Sequence, residues 1–411
     1  MRTLVVSDLH LGGASGAAVL ERPLARQALF ETLRDVERLV LLGDVLELRH
    51  GPRREAMARA RPFFEELGRI FAGREVVVLA GNHDHALIET WRRDRDEARA
   101  DSEGVIAPTA ARLAPSENAP LALEQRMAAA QASSMLGTIA EWAAPARVSA
   151  AYPGLWLRED VYATHGHYLD CHLSVPTMEC LGIGMTARAL GKRTSELASV
   201  VDYEGVTAPV YAWIDAVARQ AATGSALNGK STVRMWRALG GDREGAERRG
   251  EPAGGDGASG SAGLAGVAAL GPAVRRRALA GAFPVAVAAI NRVGLGSFKA
   301  DISAPGLRRA GLSAMGEVSD RLGLAGAHVI FGHTHRAGPR PSDDAGEWLG
   351  RSGARLINTG CWTYDAYFLR GAPGESPYWP GGAVLVDDEN LPTPPQLLRL
   401  LDHLARDELM A

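Results

Sequence analysis

"RLVLLGD", residues 38–44, runs through Leu39, Val40, Leu41 and Leu42 straight into Gly43-Asp44. A continuous apolar run of this length reads as a strand buried on both faces, as in an α/β sheet. Its tip carries a carboxylate. Such a residue often caps the helix that follows, so the rest of the chain has to decide what Asp44 does. The pattern recurs in "TLVVSD" (3–8), "EVVVLAGN" (75–82), "VYATHG" (161–166), "AHVIFGH" (327–333), "ARLINTG" (354–360) and "GAVLVDD" (382–388). Between the early runs lie helical patterns at Leu24–Asp35 and Arg54–Phe71. The second has Phe63, Phe64, Leu67, Ile70 and Phe71 on one stripe. Strand and helix in alternation predict an α/β fold, with ligands beyond the C-terminal ends of the strands.

Two regions break the rhythm. Residues 91–144 are charged, then Ala-rich, and read as a loop followed by a helix over Leu121–Ala143 lying on the sheet. Residues 173–326 read as a mostly helical insertion, with patterns at Thr177–Leu190, Ala208–Ala222, Pro272–Val293 and Pro305–Leu322. Within it, 240–266 is rich in Gly and charge and poor in aromatics, the composition of a flexible surface loop. The domain reading is therefore a core of 1–172 and 327–411 with an insertion at 173–326.

Composition narrows the function classes. The 411 residues are 46% hydrophobic and 23% charged, ordinary globular values. A net charge of -3 supplies no general basic field, so nucleic acid is not the expected partner, and the Arg275–Arg277 cluster alone is weak evidence for it. The three cysteines, Cys171, Cys180 and Cys361, form neither a CxxC pair nor a disulfide framework, which fits a reducing cytoplasm. The N-terminus enters a strand at once, without the apolar stretch of a secretory signal. The longest apolar run, Ala278–Ile290, is interrupted by Gly281 and Pro284 and is too short to span a bilayer. Abundant Arg, Ala and Gly beside rare Lys suggest a GC-rich bacterial genome.

The strand tips answer the question about Asp44. The runs end in Asp8-Leu9-His10, Gly43-Asp44, Gly81-Asn82-His83-Asp84, His165-Gly166-His167 and Gly332-His333-Thr334-His335. Residues two apart in a strand point the same way, so Asp8 with His10, and His333 with His335, can hold one ion. Imidazole, carboxylate and amide without thiolate suit Mn²⁺, Fe or Zn²⁺ better than Ca²⁺ or Mg²⁺. Roughly seven such candidates at the strand tips are too many for one tetrahedral site and suit two ions. Asp44 is then the natural bridge between them. Paired ions bind a phosphoryl oxygen, turn a water into hydroxide and stabilise in-line displacement.

At this point the sequence resembles the calcineurin-like metallophosphoesterases, whose pattern of D-x-H, G-D-x-x-(D/E), G-N-H-(D/E), H and G-H-x-H appears in order. The matching stretches are "SDLH", "GDVLE", "GNHD", "THGH" and "GHTH". The resemblance covers about residues 1–90, 155–170 and 327–388. It implies a four-layer α/β/β/α sandwich, here with a helical cap insertion. It also implies one metal on Asp8, His10, Asp44 and His335, and a second on Asp44, Asn82, His165 and His333. In "THGH" the family's His-Gly favours His165 over His167 as ligand, leaving His167 as a substrate-side candidate. His83 would protonate the leaving group with Asp84 orienting its ring, and Glu47 occupies a position that is usually acidic. Arg336, directly after "GHTH", is a candidate for substrate phosphate. His50 and His85 read as polar loop residues, His172 as a surface His in preference to a substrate contact, and Cys171 and Cys361 as inert buried thiols.

The implied activity is a metal-dependent phosphoric ester hydrolase, acting on a phosphomonoester, phosphodiester or pyrophosphate. The start of the insertion sets Met178, Leu181, Ile183, Met185 and Leu190 beside Arg188, Lys192 and Arg193. That mixture would suit an amphiphilic phosphorylated ligand, but an ordinary helix with one buried face is the favoured reading. Pyrophosphatases of the superfamily that hydrolyse UDP-2,3-diacylglucosamine also carry a helical cap, but commonly have Arg where this chain has His83. A metal-binding scaffold that has lost catalysis is the reading from another class. The presence of both His83 and Asp44 argues for the enzyme.

Overall fold

A computed structural model describes residues 1–104, 122–221, 291–292, 298, 301, 303–366, 369, 373–388 and 393–410. The architecture is mixed α/β around a central sheet. The strands are β1 (Arg2–Val6), β2 (Arg38–Leu42), β3 (Glu75–Leu79), β4 (Glu124–Ala128), β5 (Arg147–Arg158), β6 (Val161–Thr164), β7 (His328–Phe331), β8 (Arg355–Asn358), β9 (Gly382–Asp387) and β10 (Gln396–Arg399). Their order in the ten-stranded sheet is β10-β9-β1-β2-β3-β5-β6-β7-β8, with β4 on β5. The seven apolar runs read from the sequence all fall on strands.

β1, β2 and β3 are parallel, as are β6, β7 and β8. The two sets are joined by β5, which pairs parallel with β3 through Arg147–Ala150 and antiparallel with β6 from Gly154 onward. In a flat sheet that change of sense would send the tips of β6 and β7 to the edge opposite those of β1–β3. Here the tips meet: the His333 N–H donates to Asp8 Oδ2 at 2.9 Å, and the Ser7 and Thr359 hydroxyls lie 2.5 Å apart. The sheet folds over along β5, and an apolar cluster draws Val5, Val40 and Val77 from one half and Leu155, Ala163, Ile330 and Ile357 from the other.

The helices α1 (Pro23–Thr32), α2 (Arg53–Ile70), α3 (Glu89–Gly104), α4 (Ala129–Ala132) and α5 (Ser134–Trp142) belong to the first half of the chain. In α2 the expected stripe faces inward, with Phe63, Phe64 and Leu67 buried against Leu29, Phe30 and Leu136. α6 (Met178–Ala189), α7 (Val200–Ala221) and α8 (Ala304–Arg321) follow β6, and α9 (Arg406–Met410) ends the described chain. Ile183 of α6, Tyr203, Val206 and Val210 of α7, and Met315 and Val318 of α8 form one core with Tyr162, Val329, Phe331 and Leu356 of β6–β8.

Three expectations need correction. The charged stretch after residue 89 is the helix α3, not a loop, and α7 begins at Val200 rather than Ala208. The Ala-rich stretch expected as one helix over Leu121–Ala143 opens instead with β4, followed by α4 and α5. Its helix-forming composition is overridden by pairing, because Glu124–Ala128 hydrogen-bonds antiparallel to Ser149–Pro153. The expected helix at Pro272–Val293, apart from 291–292, and the loop at 240–266 lie outside the described residues. No helix among the described residues is long and apolar enough to cross a membrane.

Candidate metal centre

The strand tips carry their polar residues on a tightly wound backbone. Asp8, His10, Asp44, His333 and His335 have φ between +46° and +66°, and they are the non-glycine residues of the described chain in that left-handed region. Asp and His tolerate it better than most side chains, yet such conformations cost energy and persist where surrounding structure enforces them. The enforcement is visible. The N–H of Asp8 donates to Gly43 O at 3.1 Å, that of His10 to Asp44 O at 2.9 Å, and that of Gly332 to His165 O at 3.0 Å. Gly43 itself sits at φ +81°, and a side chain there would overlap the His165 ring. The Gly-Asp pair is therefore needed for close approach as well as for its carboxylate.

Three overlapping groups of donors result: Asp8, His10 and His335; His10, Asp44 and His83; and Asp44, His165 and His333. Within each, one ligand atom per residue lies within 4.8 Å of the others. In the first, His10 Nε2 and His335 Nε2 are 3.2 Å apart, with Asp8 Oδ1 3.2 Å from His335 and 4.0 Å from His10. Asp8 Oδ1 is buried and forms no hydrogen bond, while Oδ2 is occupied by the Ser7 hydroxyl and the His333 N–H. Asp44 reaches both sides, with Oδ2 3.7 Å from His10 Nε2 and Oδ1 3.5 Å from His165 Nε2. The Asn82 amide closes the second side, 3.2 Å from His165 Nε2 and 3.0 Å from His333 Nδ1. Turned NH₂-inward it donates to both rings, and its oxygen accepts from Arg49 Nη1 at 3.2 Å. Turned oxygen-inward it adds another lone pair to the cluster.

Electrostatics point the same way. Burial raises Asp8, but the interactions with His335 and His165 together outweigh it and hold the carboxyl at about 2. Burial also raises Asp44, and His165 and His83 pull it well below the usual carboxylate range. Conversely, burial lowers His165, yet Asp44 lifts it to about 9. The protein thus concentrates buried negative charge where only protons on imidazole offset it. A divalent cation fits in the place of those protons, and nitrogen with oxygen donors suits Mn²⁺, Fe or Zn²⁺. The donor set therefore fits a metal pair.

Around this cluster the roles differ from those first expected. Asp84 does not face the His83 ring. Its carboxylate accepts from the backbone N–H groups of Gly81 (2.7 Å), Val45 (2.7 Å), Leu46 (3.1 Å) and Asp44 (3.3 Å), clamping the β2 and β3 tips together. The carboxylate beside His83 Nδ1 is Glu47, at 2.9 Å, and the same oxygen is 3.1 Å from Nδ1 of both His10 and His50. Burial lowers the His83 pKa, with Glu47 opposing it only in part. Arg336 is committed elsewhere, paired through two nitrogens with Asp343 at 3.0 and 2.6 Å and lying over Trp348.

His167 lies in a buried aromatic cluster, its ring centroid 5.7 Å from that of His165. Its Nε2 lies 3.4 Å from the Tyr152 hydroxyl, its ring beside Tyr168 and Tyr211. At the centre of that cluster Glu204 of α7 accepts from the hydroxyls of Tyr152 and Tyr168. His85 is buried there too, at the start of a 3-10 turn (His85–Ile88) rather than in a loop, and burial pushes it down to about 3. His172 is 2.7 Å from the Tyr203 hydroxyl. Cys171 and Cys361 are buried, and Cys361 interacts with His335.

Sequence reasoning missed Asp170, which lies 3.1 Å from His333 Nε2, and Arg49, a buried guanidinium 3.6 Å from Glu179 of α6 and from Asp215 of α7. Asp170 offers no spacing signal, because a 3-10 turn at His167–Cys171 brings it back to the cluster. Arg49, two residues beyond Glu47, could have been flagged as a charge next to a strand tip.

A family model described as calcineurin-like phosphoesterase matches residues 1–175. No curated protein matches the chain. The matched segment supplies Asp8, His10, Asp44, Asn82, His83 and His165, and the parallel pairing of β7 with β6 adds His333 and His335 from outside it.

Proposed function

We infer, from the membership of residues 1–175 in the calcineurin-like phosphoesterase superfamily, that this protein is a phosphoric ester hydrolase working with two divalent metal ions. One ion would be held by Asp8, His10, Asp44 and His335, the other by Asp44, Asn82, His165 and His333. The observation that carries the reading is the position of Asp44, whose two oxygens face His10 and His165 on opposite sides. Bound ions of this kind polarise a phosphoryl oxygen, acidify a water and stabilise the charge of in-line displacement. The chain's own residues do the rest. Glu47 accepts from His10 Nδ1 and His83 Nδ1, which leaves Nε2 of each ring for the reaction side. His83 Nε2 then holds the proton for the departing oxygen.

Metal content is the direct check. Protein stripped and reloaded with Mn²⁺ should hold two ions per chain and hydrolyse a generic aryl phosphate. Well-folded protein that saturates at one ion would remove the paired-site mechanism.

The reading extends to architecture. We place the core at 1–172 and 327–411 in a four-layer α/β/β/α sandwich, with 173–326 as an insertion whose helices overhang the metal edge. Support comes from Arg49, which meets Glu179 and Asp215 of the insertion, and from Tyr211 of α7, whose ring lies beside His85. The expected apolar stripe of α6 divides: Ile183 is buried, whereas Met178 and Met185 are 52% and 56% exposed. Met178→Gln and Met185→Gln should leave stability within about 0.5 kcal/mol. They should shift the preference between bulky and small phosphate esters by about tenfold. Equal losses on both classes would assign the insertion to scaffolding alone.

A further inference from the structure

Three imidazoles of the metal centre, those of His10, His165 and His333, are held by a ring nitrogen that faces away from it. His165 Nδ1 donates to the Leu42 carbonyl at 2.9 Å, and His10 Nδ1 to Glu47 at 3.1 Å, so both present Nε2. His333 is reversed. Its Nδ1 faces Asn82 at 3.0 Å, and its Nε2 lies 3.1 Å from Asp170 Oδ1. Asp170 is buried, and its second oxygen, also buried, has no hydrogen-bond partner. A buried carboxylate with one imidazole as its hydrogen-bond partner is costly to retain unless that bond has a purpose.

We propose that Asp170 is a positioning residue for the second metal ion, acting through His333. Its Oδ1 holds the proton on Nε2, so the lone pair of Nδ1 is directed at the ion shared with Asp44, Asn82 and His165. Neutral imidazole otherwise distributes its proton between both nitrogens, and a carboxylate behind the ring fixes the tautomer and raises the ring's basicity as a ligand. The inference rests on the two-metal reading. It also ties the insertion to the chemistry. The 3-10 turn that carries Asp170 buries Tyr168, Leu169 and Cys171 in one cluster with Ile183 of α6, Tyr203 and Val206 of α7 and Met315 of α8. The insertion helices thereby set the place of a carboxylate that sets a metal ligand.

The test is metal titration of the full-length, metal-stripped protein with Mn²⁺, beside ¹⁵N NMR of the histidine side chains. Asp170→Ala should weaken the second ion about 100-fold and leave the first unchanged. Asp170→Asn, which keeps an oxygen acceptor without the charge, should weaken it about tenfold. In the metal-free wild type, neutral His333 should be protonated on Nε2, and Asp170→Ala should shift that proton distribution toward Nδ1. Thermal melting of the metal-free variants reports folding, and the Asn variant carries the test should the Ala variant not fold. Unchanged affinity for both ions, or an unchanged His333 tautomer in Asp170→Ala, would overturn the assignment. Wild-type protein that binds a single ion would instead sink the two-metal reading, and the tautomer shift would then decide the role of Asp170.

Discussion

Asp44→Asn is expected to lower kcat/KM for a simple phosphate ester on the order of 10³-fold, the several kcal/mol associated with losing transition-state charge stabilisation at a metal pair. Asparagine is the informative replacement because it tolerates the φ of +50° at this position, whereas alanine would add backbone strain. It also keeps an oxygen to accept the His83 N–H, which Asp44 Oδ1 receives at 2.8 Å. What it removes is the charge facing His10 and His165. Metal content should fall with activity, and circular dichroism should show the fold intact. Glu47→Gln should cost less, about 10- to 100-fold, because Glu47 holds the rings of His10 and His83 from behind rather than joining the two sides of the cluster. A folded Asp44→Asn protein within tenfold of wild type would end the bridging assignment.

His83→Ala should reduce turnover of alkyl phosphate esters by about 10²- to 10⁴-fold while leaving activated aryl esters nearly unaffected, since only a poor leaving group needs a proton as it departs. Burial lowers the His83 pKa, so its protonated ring is a stronger acid than free imidazole, as donation to an alkoxide requires. Asp84→Asn provides the contrast. The Asp84 carboxylate accepts four backbone N–H groups at the β2 and β3 tips, so its replacement should damage stability and metal affinity without regard to the leaving group. The measurement is the slope of log kcat/KM against leaving-group pKa for each variant. If His83→Ala left that slope unchanged with its metal content intact, the proton donor would have to be another group.

Much of the site was legible because its parts are local. A run such as Leu39–Leu42 declares a buried strand, and a polar residue directly after it must lie at the strand's tip; Asp8, Asp44, Asn82, His165 and His333 were placed by that argument alone. The strand β5 was not legible. Arg147–Arg158 contains Ser149, Pro153 and Gly154 and lacks the unbroken apolar run, because it changes partners midway and lies against both halves of the sheet. β4 was hidden by helix-forming residues that pairing overrides.

Glu47 and Asp84 show the same division at the scale of the site. Both stand near strand tips as carboxylates, and their local sequence does not say which one faces His83. The backbone answers it, by turning the N–H groups of Gly81, Asp44, Val45 and Leu46 onto Asp84 and leaving Glu47 to the imidazoles. The sequence by itself determined which chemical groups stand at the strand ends, since strand periodicity and apolar burial act over a few residues. Only the tertiary structure decided that the two sets of tips meet, because folding over β5 depends on an apolar cluster that joins residues as distant as Val40 and Ile330. The partner of each ring nitrogen was decided there too, for a hydrogen bond between residues as distant in sequence as His333 and Asp170 is fixed by packing and leaves no periodic trace.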